Sequence, residues 1–226
     1  MTTKYERPGF GAAARPEHSE RDFRRSWFST VTAGEFLGFL APAGAGALAA
    51  HAHPGILAAA MIGAGAVEGA VLGRFQAGVL RTRLSGLRIR DWTAVTSAGA
   101  VVAWMVGVLP MLYGEQFGAW PTWAQVPVAV VASLVIVLSL GVAQWTVLRR
   151  FTDRARLWVL ASAAAWIAGL AAFMLVAPPL WQPGQPPVLV GAIGALGGVA
   201  MAAVMAWVTG AFLTRVLADG HLITTK

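Results

Sequence analysis

Between Asp91 and Glu115 the chain reads Trp92-Thr-Ala-Val-Thr-Ser-Ala-Gly-Ala-Val-Val-Ala-Trp104-Met-Val-Gly-Val-Leu-Pro110-Met-Leu-Tyr113-Gly114, an interval without a single charge. Crossing a bilayer takes roughly 20 apolar residues in a helix, so this stretch fits one transmembrane span. The same reading extends in both directions. Glu115 to Arg149 encloses another uncharged interval, and Arg156 to Arg215 encloses a third, long enough for two spans and broken at Pro178, Pro179, Pro183, Gly184, Pro186 and Pro187. Residues 27–80 also hold two spans, broken at His51-Ala52-His53-Pro54-Gly55 and interrupted by Glu35, Glu68 and Arg74. Six helices are predicted, over 28–50, 55–80, 92–113, 126–148, 157–178 and 188–216.

Composition agrees. The 226 residues are 57% hydrophobic and 12% charged, about half the charge of an average soluble domain, which is roughly 25%. There is no Cys, so disulfides, thiolate metal sites and thiol catalysis are excluded.

Charge placement gives an orientation. Of the 17 Lys and Arg, all but Arg74 fall in the N-terminal segment, the second loop (Arg81, Arg83, Arg88, Arg90), the fourth loop (Arg149, Arg150, Arg154, Arg156) or the C-terminal segment (Arg215, Lys226). Basic loops stay in the cytoplasm, so the expectation is a protein of the bacterial cytoplasmic (inner) membrane with both termini cytoplasmic. Trp27, Trp92, Trp145 and Trp158 then fall at the inner interface and Tyr113, Trp120, Trp123 and Trp181 at the outer one, where amphipathic rings gather. Residues 1–26 read as a basic, largely disordered cytoplasmic tail, 27–217 as the membrane domain and 218–226 as a short cytoplasmic tail. Within the first segment, 17–28 has the pattern of an interfacial helix presenting Phe23, Trp27 and Phe28. No signal peptide is expected, since the first apolar run starts late and is long enough to remain as a span. The net charge of +7 comes from clusters beside spans and implies attraction to anionic lipid at the cytoplasmic face rather than nucleic-acid binding.

A repeat runs through the spans. Gly73-Arg-Phe-Gln76-Ala-Gly-Val79-Leu80-Arg81 matches Gly141-Val-Ala-Gln144-Trp-Thr-Val147-Leu148-Arg149 at Gly, Gln, Val, Leu and Arg. Helix 6 keeps a degraded version, Thr209-Gly-Ala-Phe-Leu-Thr-Arg215. The helices before these crossings echo one another as well, in Trp104-Met-Val-Gly107, Trp166-Ile-Ala-Gly169 and, more loosely, Glu35-Phe-Leu-Gly38. The expected fold is therefore an all-α integral membrane protein of six transmembrane helices, arranged as three repeated hairpins around a pseudo-threefold axis along the membrane normal. The pattern resembles a group of uncharacterised bacterial multipass membrane proteins whose helices end in Gln-Trp-x-Val-Leu-Arg, followed by a short basic loop and a Trp that opens the next helix. The match covers the membrane region and is tightest at Gln144–Arg149 and Trp158; helix 2 departs from it with Ala77 in place of Trp. The resemblance implies a topology and no site.

The polar positions inside the spans form the candidate site: Glu35, Glu68, Arg74, Gln76 and Gln144. Gln76 and Gln144 sit five residues, roughly 7 Å, inside the basic boundary. A primary amide there needs partners that lipid does not offer. Two readings stand: an interhelical hydrogen bond, or a cytoplasmic vestibule lined by equivalent positions. Glu35 and Arg74 lie at matched depth, roughly 10–12 Å from that boundary, on adjacent antiparallel helices, which predicts a buried ion pair. Glu68 lies about 20 Å from it, with no cation at its level, and is expected to be protonated, hydrogen-bonded to Ser or Thr, or in contact with water.

Gly69-x-x-x-Gly73, Gly63-Ala-Gly65, Gly191-x-x-Gly194 and Gly194-x-x-x-Gly198 predict close helix approach, and Pro42, Pro110 and Pro178-Pro179 predict kinks or ends. His51 and His53 lack a third ligand nearby and read as solvated turn residues. No hydrolase, metalloprotease, P-loop or dinucleotide motif occurs. The sequence favours a non-enzymatic structural, assembly or regulatory membrane subunit without cofactor or metal, with a membrane-protein partner or self-association. The alternative is a small ion or solute permease or channel using the five polar positions.

Overall fold

The structure, a computed structural model, describes residues 16–217; the reading of residues 1–15 and 218–226 as tails lies outside them. Seven α-helices account for the six spans: α1 (Pro16–Leu48), α2 (Pro54–Leu80), α3 (Ile89–Gly107), α4 (Leu109–Gly118), α5 (Thr122–Leu148), α6 (Arg156–Leu180) and α7 (Pro187–Leu217). A 3-10 turn at Asp153–Ala155 precedes α6. All six spans are long and apolar enough to cross a membrane, with α3 and α4 together forming the third.

The third span breaks where Pro110 sits in the first turn of α4, since its ring and missing N–H cannot continue the ladder from α3. The other proline sites lie within helices, one of them at a helix end. Pro42 lies inside a continuous α1, and α6 runs through Pro178 and Pro179 before ending at Leu180. His53 has a structural role: it caps α2, its Nδ1 accepting from the Gly55 N–H at 3.2 Å.

The segment before Trp27 is no separate interfacial helix. It is the start of α1, and Phe23 and Trp27 are buried in the protein while Phe28 is exposed. Arg83 holds this start against the α2–α3 loop by stacking over the Phe23 ring at 4.8 Å and donating to the Ser19 carbonyl at 2.9 Å.

Contacts run in chain order, α1 to α2, α2 to α3, α3 to α5, α5 to α6 and α6 to α7, and α7 returns to α1. The spans therefore close a ring. Small residues set the spacing: a Cβ on Gly73 would lie 2.9 Å from the Thr93 Cα, and one on Gly141 would lie 3.0 Å from the Val159 Cα. Gly69 and Gly65 are likewise pressed on α3, whereas Gly63, Gly78 and Gly191 face open space. The basic ends of all six spans meet in one hydrophobic cluster that includes Trp27, Leu80, Trp92, Leu148, Trp158 and Leu213.

Candidate functional site

Three tryptophans occupy the centre of the ring at the basic end. Trp27, Trp92 and Trp158, which open the first, third and fifth spans, are 0, 0 and 1% exposed. The Trp158 ring meets Trp27 edge-on at 5.9 Å and Trp92 at 6.2 Å. The interfacial placement expected for these rings is thus corrected, because each indole N–H has a polar partner inside the bundle and gains nothing from the headgroup layer. At the opposite end Tyr113, Trp120, Trp123 and Trp181 are exposed, as an interfacial belt would be.

Each of the three indoles donates to a neighbouring span. Trp92 Nε1 donates to Gln76 Oε1 at 3.1 Å, Trp158 Nε1 to Gln144 Oε1 at 2.8 Å, and Trp27 Nε1 to Thr209 Oγ1 at 3.0 Å. The chain of spans α2–α3, α5–α6 and α7–α1 is therefore bonded at one level. Gln144 joins the pieces across the centre, its Nε2 donating to Gln76 Oε1 at 2.7 Å and to Thr96 Oγ1 at 3.0 Å. The Thr96 and Thr209 hydroxyls in turn donate to the helix carbonyls of Trp92 and Met205. Of the two readings of the glutamines, interhelical hydrogen bonding is what the structure contains, and the tryptophans fill the place of a vestibule.

Above this layer, further from the basic end, lies a cavity of about 20 Å3 whose lining includes Glu35, Gln76, Gln144, Ser162 and Thr209. Glu35 is 7% exposed and its carboxyl makes no hydrogen bond to any described residue. On α1 it follows Trp27 and Val31 at i+4 spacing, so all three project from one helix face. On α2, Glu68 shares a face with Leu72 and Gln76 by the same spacing. Its Oε2 accepts from Trp104 Nε1 at 2.7 Å, an indole donor in place of the Ser or Thr expected. Glu68 packs on α1 within one turn of Glu35, where a Cβ on Gly38 would lie 3.4 Å from the Glu68 Cγ.

The expected Glu35–Arg74 ion pair does not form. The depth match is real, since a Cβ on Gly34 would meet the Phe75 side chain. Facing is what fails. At 3.6 residues per turn Arg74 lies about 200° round the helix from Gln76, so Gln76 enters the centre and Arg74 is exposed on the outside of the bundle. An ion pair that does form, Arg90–Asp91, lies at the surface.

The structure thus brings together Glu35, Gln76 and Gln144, sets Glu68 against α1 at Gly38 and leaves Arg74 outside. Sequence reasoning missed Trp27, Trp92, Trp158, Thr96, Ser162 and Thr209. A signal was present: each repeated Gln is followed across a short loop by a Trp, and Trp92 and Trp158 each carry a hydroxyl four residues on, at Thr96 and Ser162. No group of three or more potential metal-binding side chains occurs among the described residues. Comparison with protein-family models, curated proteins and solved structures returned no match.

Proposed function

We propose that this chain is a non-enzymatic subunit of a bacterial cytoplasmic membrane, with both termini cytoplasmic, serving a structural, assembly or regulatory role. The single observation that carries the reading is that the ring of spans bonds its central indoles and glutamines to its own neighbouring spans. Trp92, Trp158 and Trp27 are bonded to Gln76, Gln144 and Thr209, and Gln144 ties the centre together. Such bonds hold helices in register and suit a body that presents a fixed apolar outside to other membrane components.

The three Trp–polar pairs also favour the threefold hairpin arrangement, since one donor and one acceptor recur on consecutive hairpins. At the basic end, Arg81, Arg88 and Arg90 line a recess of about 640 Å3, which supports anionic headgroups as lipid partners at roughly 1 kcal/mol per basic residue.

Purification from native membranes in mild detergent tests the reading. A protein partner in fixed proportion, or a defined self-association, is the expected result. A lone chain carrying a small solute, or one that moves a solute across vesicles, would transfer the argument to a permease or channel. That second reading is favoured by the two interior carboxyls, Glu35 and Glu68, and needs no part from Arg74.

A further inference from the structure

We propose that Glu35 and the cavity it lines form a proton-binding site, reached from the non-basic end of the bundle through Glu68. The inference goes beyond the subunit reading and does not depend on it. Glu35 is 7% exposed as a residue, its carboxyl makes no hydrogen bond to a described residue, and it lines a cavity inside the bundle, where lipid offers it no partner. The cavity beside it has the volume of a single water molecule. Its other polar walls fix what it prefers. The Gln76 and Gln144 oxygens and the Thr209 hydroxyl are already engaged, so the Gln76 amide nitrogen and the Ser162 hydroxyl remain on the wall of the cavity that Glu35 lines. One carboxylate with an amide N–H group for a neighbour is a poor cage for a metal cation, which requires several oxygen ligands. It suits a water bridging to a carboxyl that gains and loses a proton.

The route has a direction. Toward the basic end the centre is plugged by Trp27, Trp92 and Trp158. Away from it the next interior carboxyl is Glu68, half-buried and held by Trp104. The spans packed round Glu35 present no other titratable side chain to it among the described residues, since Arg74 faces outward and Arg215 is at the basic end. The step is a proton transfer alone: the acid form of Glu68 gives its proton to a water, and that water gives one to the Glu35 carboxylate.

A lipid-soluble carbodiimide reports on it, because N,N′-dicyclohexylcarbodiimide reacts with protonated carboxyls in apolar surroundings and leaves an adduct that peptide mass spectrometry can place. Short pulses are applied to right-side-out and inverted membrane vesicles containing the full chain, after a pH change on one side only. The expected result is an adduct on Glu35 that tracks the pH bathing the non-basic end. It falls about tenfold per pH unit once the group ionises, and Na+ or Li+ at constant pH leaves it unchanged. Glu68→Gln should slow the response while Glu35 still labels at equilibrium, a readout that survives even where Glu35→Gln fails to fold. Absence of a Glu35 adduct in folded protein, control by the pH at the basic end, or protection by Na+ or Li+ would each overturn the proposal, the last by assigning the cavity to a metal cation.

Discussion

Gln144 is the most heavily used side chain of the interior, with partners on three other spans: Gln76 on α2, Thr96 on α3 and Trp158 on α6. Interhelical hydrogen bonds in membranes average about 0.6 kcal/mol each, so Gln144→Leu should cost about 2 kcal/mol. Gln76→Leu, which removes the bonds to Trp92 and Gln144, should cost about 1 kcal/mol. Thermal unfolding in detergent should rank the two in that order. A different outcome is expected at Arg74. Its side chain faces outward, with its apolar stem free to lie along lipid while the guanidinium reaches toward the headgroups, so Arg74→Met should alter stability by less than about 0.5 kcal/mol. Combined with Glu35→Gln, it should add nothing beyond the single changes, as no coupling links residues without shared partners.

At the scale of elements, glycines mark where backbones touch. Gly73→Ala would drive a methyl to 2.9 Å from the Thr93 Cα, and Gly141→Ala would do the same at 3.0 Å from the Val159 Cα. Backbone cannot step aside as a flexible side chain can, so each should lower stability by about 1–3 kcal/mol. Gly78→Ala, with nothing within 4 Å, is the control and should be neutral. Thermal unfolding of the three variants side by side checks this. The spans themselves were legible because charge is so costly in hydrocarbon that bilayer-crossing helices leave long uncharged intervals behind them in the chain. Depth was legible too, since rise per residue is fixed, and Glu35 does lie level with Arg74's neighbourhood. What a depth count omits is azimuth. Gln76 and Arg74 differ by two positions and point to opposite sides, and that difference left the Glu35 carboxyl without the expected cation. Trp27, Trp92 and Trp158 misled for a related reason: a ring at a span's end suits the interface or the interior equally, and only the location of its N–H partner decides.

For the molecule as a whole, the arrangement of basic loops supplies the next expectation. Reporters fused after Arg88, after Arg154 and at the C-terminus should score as cytoplasmic, and reporters within 114–124 and 181–187 as external. One reversed reporter would be incompatible with the proposed orientation. The positive-inside bias acts over short loops next to spans, and the loops at 81–88 and 149–155 are of that kind. The Thr152 hydroxyl donates to the Val216 carbonyl at 2.9 Å, which fixes the second of these loops to the end of α7.

The Trp27–Thr209 bond joins residues 182 positions apart in the chain, and α7 is the helix that brings the two ends of the ring together. During synthesis the first span enters the bilayer long before its partner exists. Until the last span arrives, Trp27 holds an indole N–H with no acceptor from Thr209, and the face of α1 that carries Glu35 stays open to lipid or to whatever insertion factor shelters it. Closure of the ring therefore waits for the last helix to meet the first. A chain that stops before residue 187 lacks every contact by which α7 joins α6 to α1 and closes the ring.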